Sequence, residues 1–167
     1  SKAYHHTALY KSSGTFNGCS VDESIKIYND NGVPNSKIIV GAAFYGRYST
    51  VTSAGSNNGL ASSLGTYNGV TKMGATIRYS EIRRQYLDKA STNSNIKICF
   101  DNVAKAPYIF DTANNIFITY ENEVSIGYKC EYIKSKGLAG IMYWDNGSDD
   151  TNELITAINN NLSVLKG

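Results

Sequence analysis

An α/β fold is expected, built from two β/α units with a small α+β subdomain inserted between them, and three features of the sequence carry that expectation. Two apolar runs, "KIIVGAAF" from Lys37 and "LAGIMYWD" from Leu138, read as buried parallel strands, which are covered on both faces and so lose the alternation of polar and apolar residues. Each run is flanked by a stretch of helical periodicity. Between them, three short β-like runs follow one another too closely for the crossover of about a dozen residues that parallel pairing needs.

In chain order, "SVDESIKIYNDNG" predicts a helix. Ser20 and Glu23 have capping-box spacing, Val21, Ile25 and Tyr28 share a face, and Gly32 offers a left-handed stop. Pro34 separates this helix from the first strand, which runs directly into Tyr45, Gly46 and Arg47. Loops converge at the carboxyl ends of parallel strands, and binding chemistry collects there. Tyr45 and Arg47 are therefore either site residues or the first exposed positions after the strand. Residues 49–74, rich in Ser, Gly, Thr and Asn, read as a long surface loop. "SEIRRQYLDKA" predicts a short helix capped by Ser80, with Ile82, Tyr86 and Leu87 inward. "IKICFD", "APYIFD" and "NIFITYE" predict antiparallel strands, with Asn114 and Asn115 in a turn. "EVSIGYKCEYIKSKG" predicts an amphipathic helix with Val124, Tyr128 and Ile133 inward and Gly137 ending it, and the last helix carries the stripe Leu154, Ile155, Ile158 and Leu162.

The totals narrow the function. At 167 residues the chain is short of the roughly 250 usual for an eight-stranded β/α barrel. A formal net charge of +2 with no basic block gives nucleic-acid binding little support. The 13 tyrosines suit sugar or peptide surfaces, although a tyrosine more often packs half-buried. Cys19, Cys99 and Cys130 lack zinc-site spacing, one disulfide would leave a thiol over, and Cys99 in "IKICF" reads as a small core residue. No apolar run approaches the length of a membrane span, and the first ten residues lack the apolar core of a signal peptide. Adjacent His5 and His6 are poor chelators without further ligands, and capping accounts for Asp149 and Asp150 before the last helix. No metal or cofactor is expected.

The runs "HHTALY", "VDESIKIYNDNGVPNSKIIVGAAFYGR", "FDNVAKAPYIF", "FITYENEVSIGYKCEYIKSKGLAGIMYWD" and "DDTNELITAI" stand in the order and spacing of one family's C-terminal half. The chain resembles, over nearly its whole length, the family 18 glycoside hydrolases, which include chitinases and related N-acetylglucosaminidases. The resemblance implies a partial TIM-type β/α barrel, its last two β/α units, with residues 1–48 and 121–167 as the barrel segment and 49–120 as the inserted α+β subdomain. The two apolar runs would be the seventh and eighth barrel strands, and the chain would start in the loop after the sixth. The family's DxxDxDxE signature, which holds the catalytic glutamic acid, is absent from these 167 residues, so no catalytic residue is expected in this chain.

Substrate-binding residues are implied instead. Trp144 matches the tryptophan that floors the −1 subsite, with a buried core indole as its alternative. Met142 matches a neighbour lining the same pocket, or it is core. Tyr45 and Arg47 resemble the family's YGR pair, with Gly46 letting the chain turn closely between them and a structural salt bridge as the alternative for the arginine. Glu81 resembles a glutamate bordering the sugar cleft, and equally suits a helix dipole as a first-turn residue.

Two functions follow from the resemblance. One is the C-terminal portion of a chitinase-like hydrolase that cleaves β-1,4 N-acetylglucosamine glycans by substrate-assisted catalysis. The other is a non-catalytic chitooligosaccharide-binding or self-assembling module. The partner in either case is an N-acetylglucosamine oligosaccharide or polymer, which implies a secreted or cell-surface protein. Two parallel strands without their companions would also leave open edges, so the isolated chain is expected to self-associate.

Overall fold

The computed structural model describes residues 2–12, 20–65 and 74–162. Its first half contains α1 (Val21–Asp30), β1 (Ile39–Ala43), β2 (Tyr45–Thr50), β3 (Ala75–Arg78) and α2 (Tyr79–Ile82). Then come β4 (Ile96–Asp101), β5 (Ala106–Asp111), β6 (Ile116–Thr119), α3 (Glu123–Lys136), β7 (Gly140–Trp144) and α4 (Glu153–Leu162).

Two sheets result. β1 and β7 pair in parallel, in register from Ile39 opposite Gly140 to Ala43 opposite Trp144. The others form an antiparallel sheet in the order β3-β2-β6-β5-β4. Side chains alternate across a strand, so the parallel pair has two distinct faces. One face, with Val40, Ala42, Ile141 and Tyr143, packs against apolar residues of α1, α3 and α4. The other leaves Ile39 58%, Met142 49% and Trp144 65% exposed.

The apolar run expected to end in a loop instead changes sheets. Phe44 breaks the strand, and Tyr45 already belongs to β2, whose outer half pairs with β6 from Arg47 opposite Thr119 to Thr50 opposite Ile116. The polar loop expected from residue 49 accordingly starts later and is partly core. Ser49 is buried in β2, Val51 bridges Leu64, and both apolar side chains pack with Phe110 and Phe117. Ala75–Arg78, directly after that polar region, forms a strand not expected from the sequence. Tertiary ladder partners decide these segments, and a single stretch of sequence does not display them.

The helix ends follow local chemistry closely. The Ser20 hydroxyl accepts from the Glu23 N–H, and the Glu23 carboxylate takes the Ser20 N–H in return. Gly137 closes α3 at φ 62°, a left-handed conformation suited to glycine. Helix α2 differs from expectation: it starts at Tyr79, places Ser80 inside as a buried residue rather than a cap, and continues as a π-helical turn over Arg83–Leu87. Ile82 is fully buried.

Three expected inward residues are placed differently. Tyr28 and Val124 are exposed, and Cys99 is only half-buried, where it accepts a hydrogen bond from Asn58 Nδ2. Helix α3 instead buries a face that includes Ile126, Cys130, Ile133 and the charged Lys129, because Lys129 finds Glu121 as its buried partner. Cys99 and Cys130 are free thiols, and Cys19 lies outside the described residues.

Candidate functional site

Phe44 joins the two sheets. Its N–H donates to the Trp144 carbonyl at 2.8 Å, and its own carbonyl accepts from the Tyr79 N–H at 3.1 Å. The carboxyl ends of β1 and β7 thereby meet the start of β2 and the end of β3. Tyr45 and Arg47, two residues apart on β2, project from one face, where the ladder sets Tyr45 opposite Arg78 and Arg47 opposite Thr76. These four residues line a groove of about 290 Å³ together with Trp144, Asp145 and Ser148.

Gly46 serves this arrangement through space rather than through a turn. It lies within a continuous strand, and a Cβ there would come 2.7 Å from Ile82 Cδ1 and 2.8 Å from the Thr119 carbonyl oxygen. The expected close turn between Tyr45 and Arg47 is therefore absent; a close contact of strand, strand and helix takes its place.

The N-terminal segment supports the wall from behind. His6 donates its backbone N–H to Thr119 Oγ1 at 3.2 Å, and its ring lies 5.5 Å from the Tyr45 ring, tilted by 44°. Burial, with the Lys129 and Arg47 charges adding to it, pushes the His6 imidazole down to about 3. It is neutral across the physiological range. His5 sets its Nε2 3.2 Å from Asp101 Oδ2. Burial pushes the Asp101 carboxyl up, but hydrogen bonds from His5, Ser12 and the Ala104 N–H outweigh it and hold the group well below the usual carboxylate range. The histidines thus anchor the segment and prop Tyr45. A second groove of about 300 Å³, bordered by Lys2, both histidines and Tyr45, meets the first at Arg47.

The structure brings Trp144, Tyr45 and Arg47 to one groove. Trp144 is far from a buried core indole, and Arg47 forms no ion pair with a described carboxylate. Met142 stands on the same open face two residues earlier, beside Gly41, and does not line the groove. Glu81 lies outside it as well, with Oε2 accepting the Arg78 N–H at 3.0 Å. Thr76, Arg78, Asp145 and Ser148 line the groove without having been singled out. The alternating outward Thr76 and Arg78 of "ATIR" was the signal available for two of them.

Asp149 caps α4, its carboxylate accepting the Leu154 N–H at 2.9 Å, and Asp150 pairs with Arg84. Both lie in structural roles. Glu153 accepts from the Tyr79 hydroxyl at 2.7 Å and pairs with Arg83, tying α2 and the turn after it to α4.

Residues 1–149 match the family model "Glycosyl hydrolases family 18". Chitinase A1 of Niallia circulans is 34% identical over 121 residues, which make up 72% of this chain and 17% of that protein. Among solved structures, a glycoside hydrolase family 18 N-acetylglucosaminidase from Paenibacillus barengoltzii superposes with TM-score 0.81 at 37% identity, over 96% of this chain and 44% of that one. Chitinase ChiW from Paenibacillus sp. str. FPU-7, a cell-surface-expressed multi-modular enzyme, superposes with TM-score 0.83 at 40% identity, over 99% of this chain and 18% of that one. The chain spans less than a third of the length of the curated relatives it matches.

Proposed function

The chain belongs to glycosyl hydrolase family 18, and we propose that it supplies the sugar-contacting wall and floor of a chitinase-like hydrolase acting on β-1,4 N-acetylglucosamine glycans. The observation that carries this reading is Trp144: a large ring, 65% exposed, at the carboxyl end of β7, lining one groove with Arg47, which forms no ion pair with a described carboxylate. An exposed indole is a flat apolar platform for a pyranose face, and the guanidinium offers fixed donors to sugar oxygens. Tyr45 adds a hydroxyl on the same wall. Met142, outside the groove, is proposed to extend the apolar surface along the open face, and Glu81, also outside it, acts only through the Arg78 main chain that it holds.

In this reading β1 and β7 are two strands of a partial TIM-type barrel, and residues 49–120 are an α+β insertion between them, with β2 straddling the boundary. The longer protein would work by substrate assistance: the N-acetyl oxygen of the bound sugar bonds to its own anomeric carbon as a glutamic acid protonates the departing glycosidic oxygen. That acid belongs to a DxxDxDxE run that these 167 residues do not contain, so this chain alone is expected to bind without turning over. The longer protein is proposed to be secreted or displayed at the cell surface. No helix among the described residues is long and apolar enough to cross a membrane.

A second reading, a non-catalytic chitooligosaccharide-binding module, is favoured by the same groove, which is formed without the acid. Calorimetric titration with N-acetylglucosamine tetrasaccharide, alongside a fluorogenic chitobioside assay, tests both. Binding without turnover, lost in Trp144→Ala, is expected. Turnover by this chain would refute the missing-acid account, and no binding would refute the sugar site. We further propose that the open face holding Ile39 and Met142 draws a second copy onto the parallel pair, burying apolar surface that is otherwise wet.

A further inference from the structure

We propose that Arg78 makes this groove selective for N-acetylated glycans that carry a carboxylate substituent. The proposal rests on the sugar-binding reading and deepens it. Arg78 is exposed at the end of β3, directly opposite Tyr45, and lines the same groove as Trp144. Arg47 faces Thr76 one pair along, which makes the two arginines diagonal neighbours, with side chains rooted roughly 7–8 Å apart.

Their surroundings set them apart from the nearby arginines. Arg83 pairs with Asp88 and Glu153, and Arg84 with Asp150, whereas neither Arg47 nor Arg78 forms an ion pair with a described carboxylate. Glu81, close in sequence, is committed to the Arg78 main-chain N–H. Among the described residues one carboxylate lines the groove, that of Asp145, which follows Trp144 at the end of β7 and not on β2 or β3. Two arginines, rooted as diagonal neighbours on β2 and β3, thus line one groove without an ion-pair partner among the described carboxylates.

A neutral sugar needs one such donor set. A carboxylate next to the ring stacked on Trp144 uses the second, because the guanidinium fork matches the two carboxylate oxygens. The ligand class is therefore a β-linked N-acetylhexosamine oligosaccharide bearing a carboxylate on one sugar.

Trp144 is the chain's single tryptophan, so its fluorescence reports occupancy of the groove. The chain is titrated with chitotetraose and with a tetrasaccharide alternating N-acetylglucosamine and N-acetylmuramic acid. The acidic ligand is expected to bind about fivefold tighter at low salt, the size of a good surface ion pair. That ratio shrinks in about 0.5 M salt, where the screening length is only a few ångströms. It falls to about one in Arg78→Gln, and Arg78→Lys retains part of it; far-ultraviolet circular dichroism confirms that both variants fold. Equal binding of both ligands by the native chain overturns the selectivity and leaves the sugar site standing. A ratio unchanged in Arg78→Gln overturns the role of this residue. Binding of neither ligand overturns the proposal together with the reading beneath it.

Discussion

The antiparallel sheet and the parallel pair are joined through Phe44, yet the first buries its central strand and the second leaves one face exposed. Strand β5 is buried along all of its residues between β4 and β6, and Ile109, Phe110, Phe117 and Ile118 are fully covered. Its neighbours β4 and β6 arrive through short hairpin turns, so this part of the sheet is assembled from segments adjacent in sequence, and only β2 joins it from far along the chain. β1 and β7 meet only after the whole antiparallel sheet and α3 have intervened, and they present Ile39, Met142 and Trp144 to solvent. A locally built sheet can close its own core. The parallel pair is covered on one face by the helices it carries with it, and its other face is exposed.

The contrast can be broken most severely at the joint. Glu121 follows β6, and Lys129 of α3 is buried against it, with Ser125 donating to the same carboxylate at 2.6 Å. Lys129→Met leaves Glu121 buried without its partner and is expected to destabilise the chain by about 3–5 kcal/mol, read from urea unfolding. Adding Glu121→Leu should recover most of that loss, because no charge is then stranded. If the single variant unfolds with native stability, the joint does not depend on this pair.

Gly46→Ala is the next largest. A methyl group cannot fit beside the Thr119 carbonyl without moving β2 from β6, so a loss of about 1–3 kcal/mol is expected by the same measurement. A change within a few tenths would mean that the strands separate at no cost.

Acid sharpens the comparison by loosening the N-terminal segment that props the groove. The folded His6 pKa, about 3, lies below its ordinary 6.5, so the unfolded chain binds the extra proton between those values and stability falls as pH drops through that window. The slope is at most about 1.4 kcal/mol per pH unit. Asp101, also held low in the folded chain, contributes stability above its ordinary 3.8 that is lost as pH falls further. Urea midpoints from pH 7.5 down to 4 measure the histidine's share, and His6→Gln should flatten that curve. An unaltered slope in that variant would remove His6 from the account.

The smallest effect on stability, and a large one on association, belongs to Ile39→Glu. It should leave the urea midpoint nearly unchanged while lowering the light-scattering mass toward that of one chain at micromolar concentrations, since it places charge on the open face. A native chain that is already monomeric there would sink the second-copy proposal.

What could be read from the sequence was whatever is decided over a few residues. The Ser20–Glu23 capping box, the Gly137 stop and the turn through Asn115, at φ 52°, need only their neighbours. Trp144 stood out as a lone indole at a strand end, and Tyr45 and Arg47 as polar residues after an apolar run. The sheet change at Phe44 was hidden because pairing with β6 decides it, and the burial of Lys129 because its partner comes from outside the helix. Arg78 was hidden by a polar, glycine-rich approach that masked β3. In each case the missing information was a tertiary partner.

The most direct test follows the indole N–H of Trp144 by NMR while N-acetylglucosamine tetrasaccharide is added to the chain. A saturable shift of that resonance, accompanied by the amides of Tyr45, Arg47 and Thr76, is the predicted result. Saturable shifts confined to other parts of the chain, or none at all, would contradict a sugar-binding groove between the two sheets.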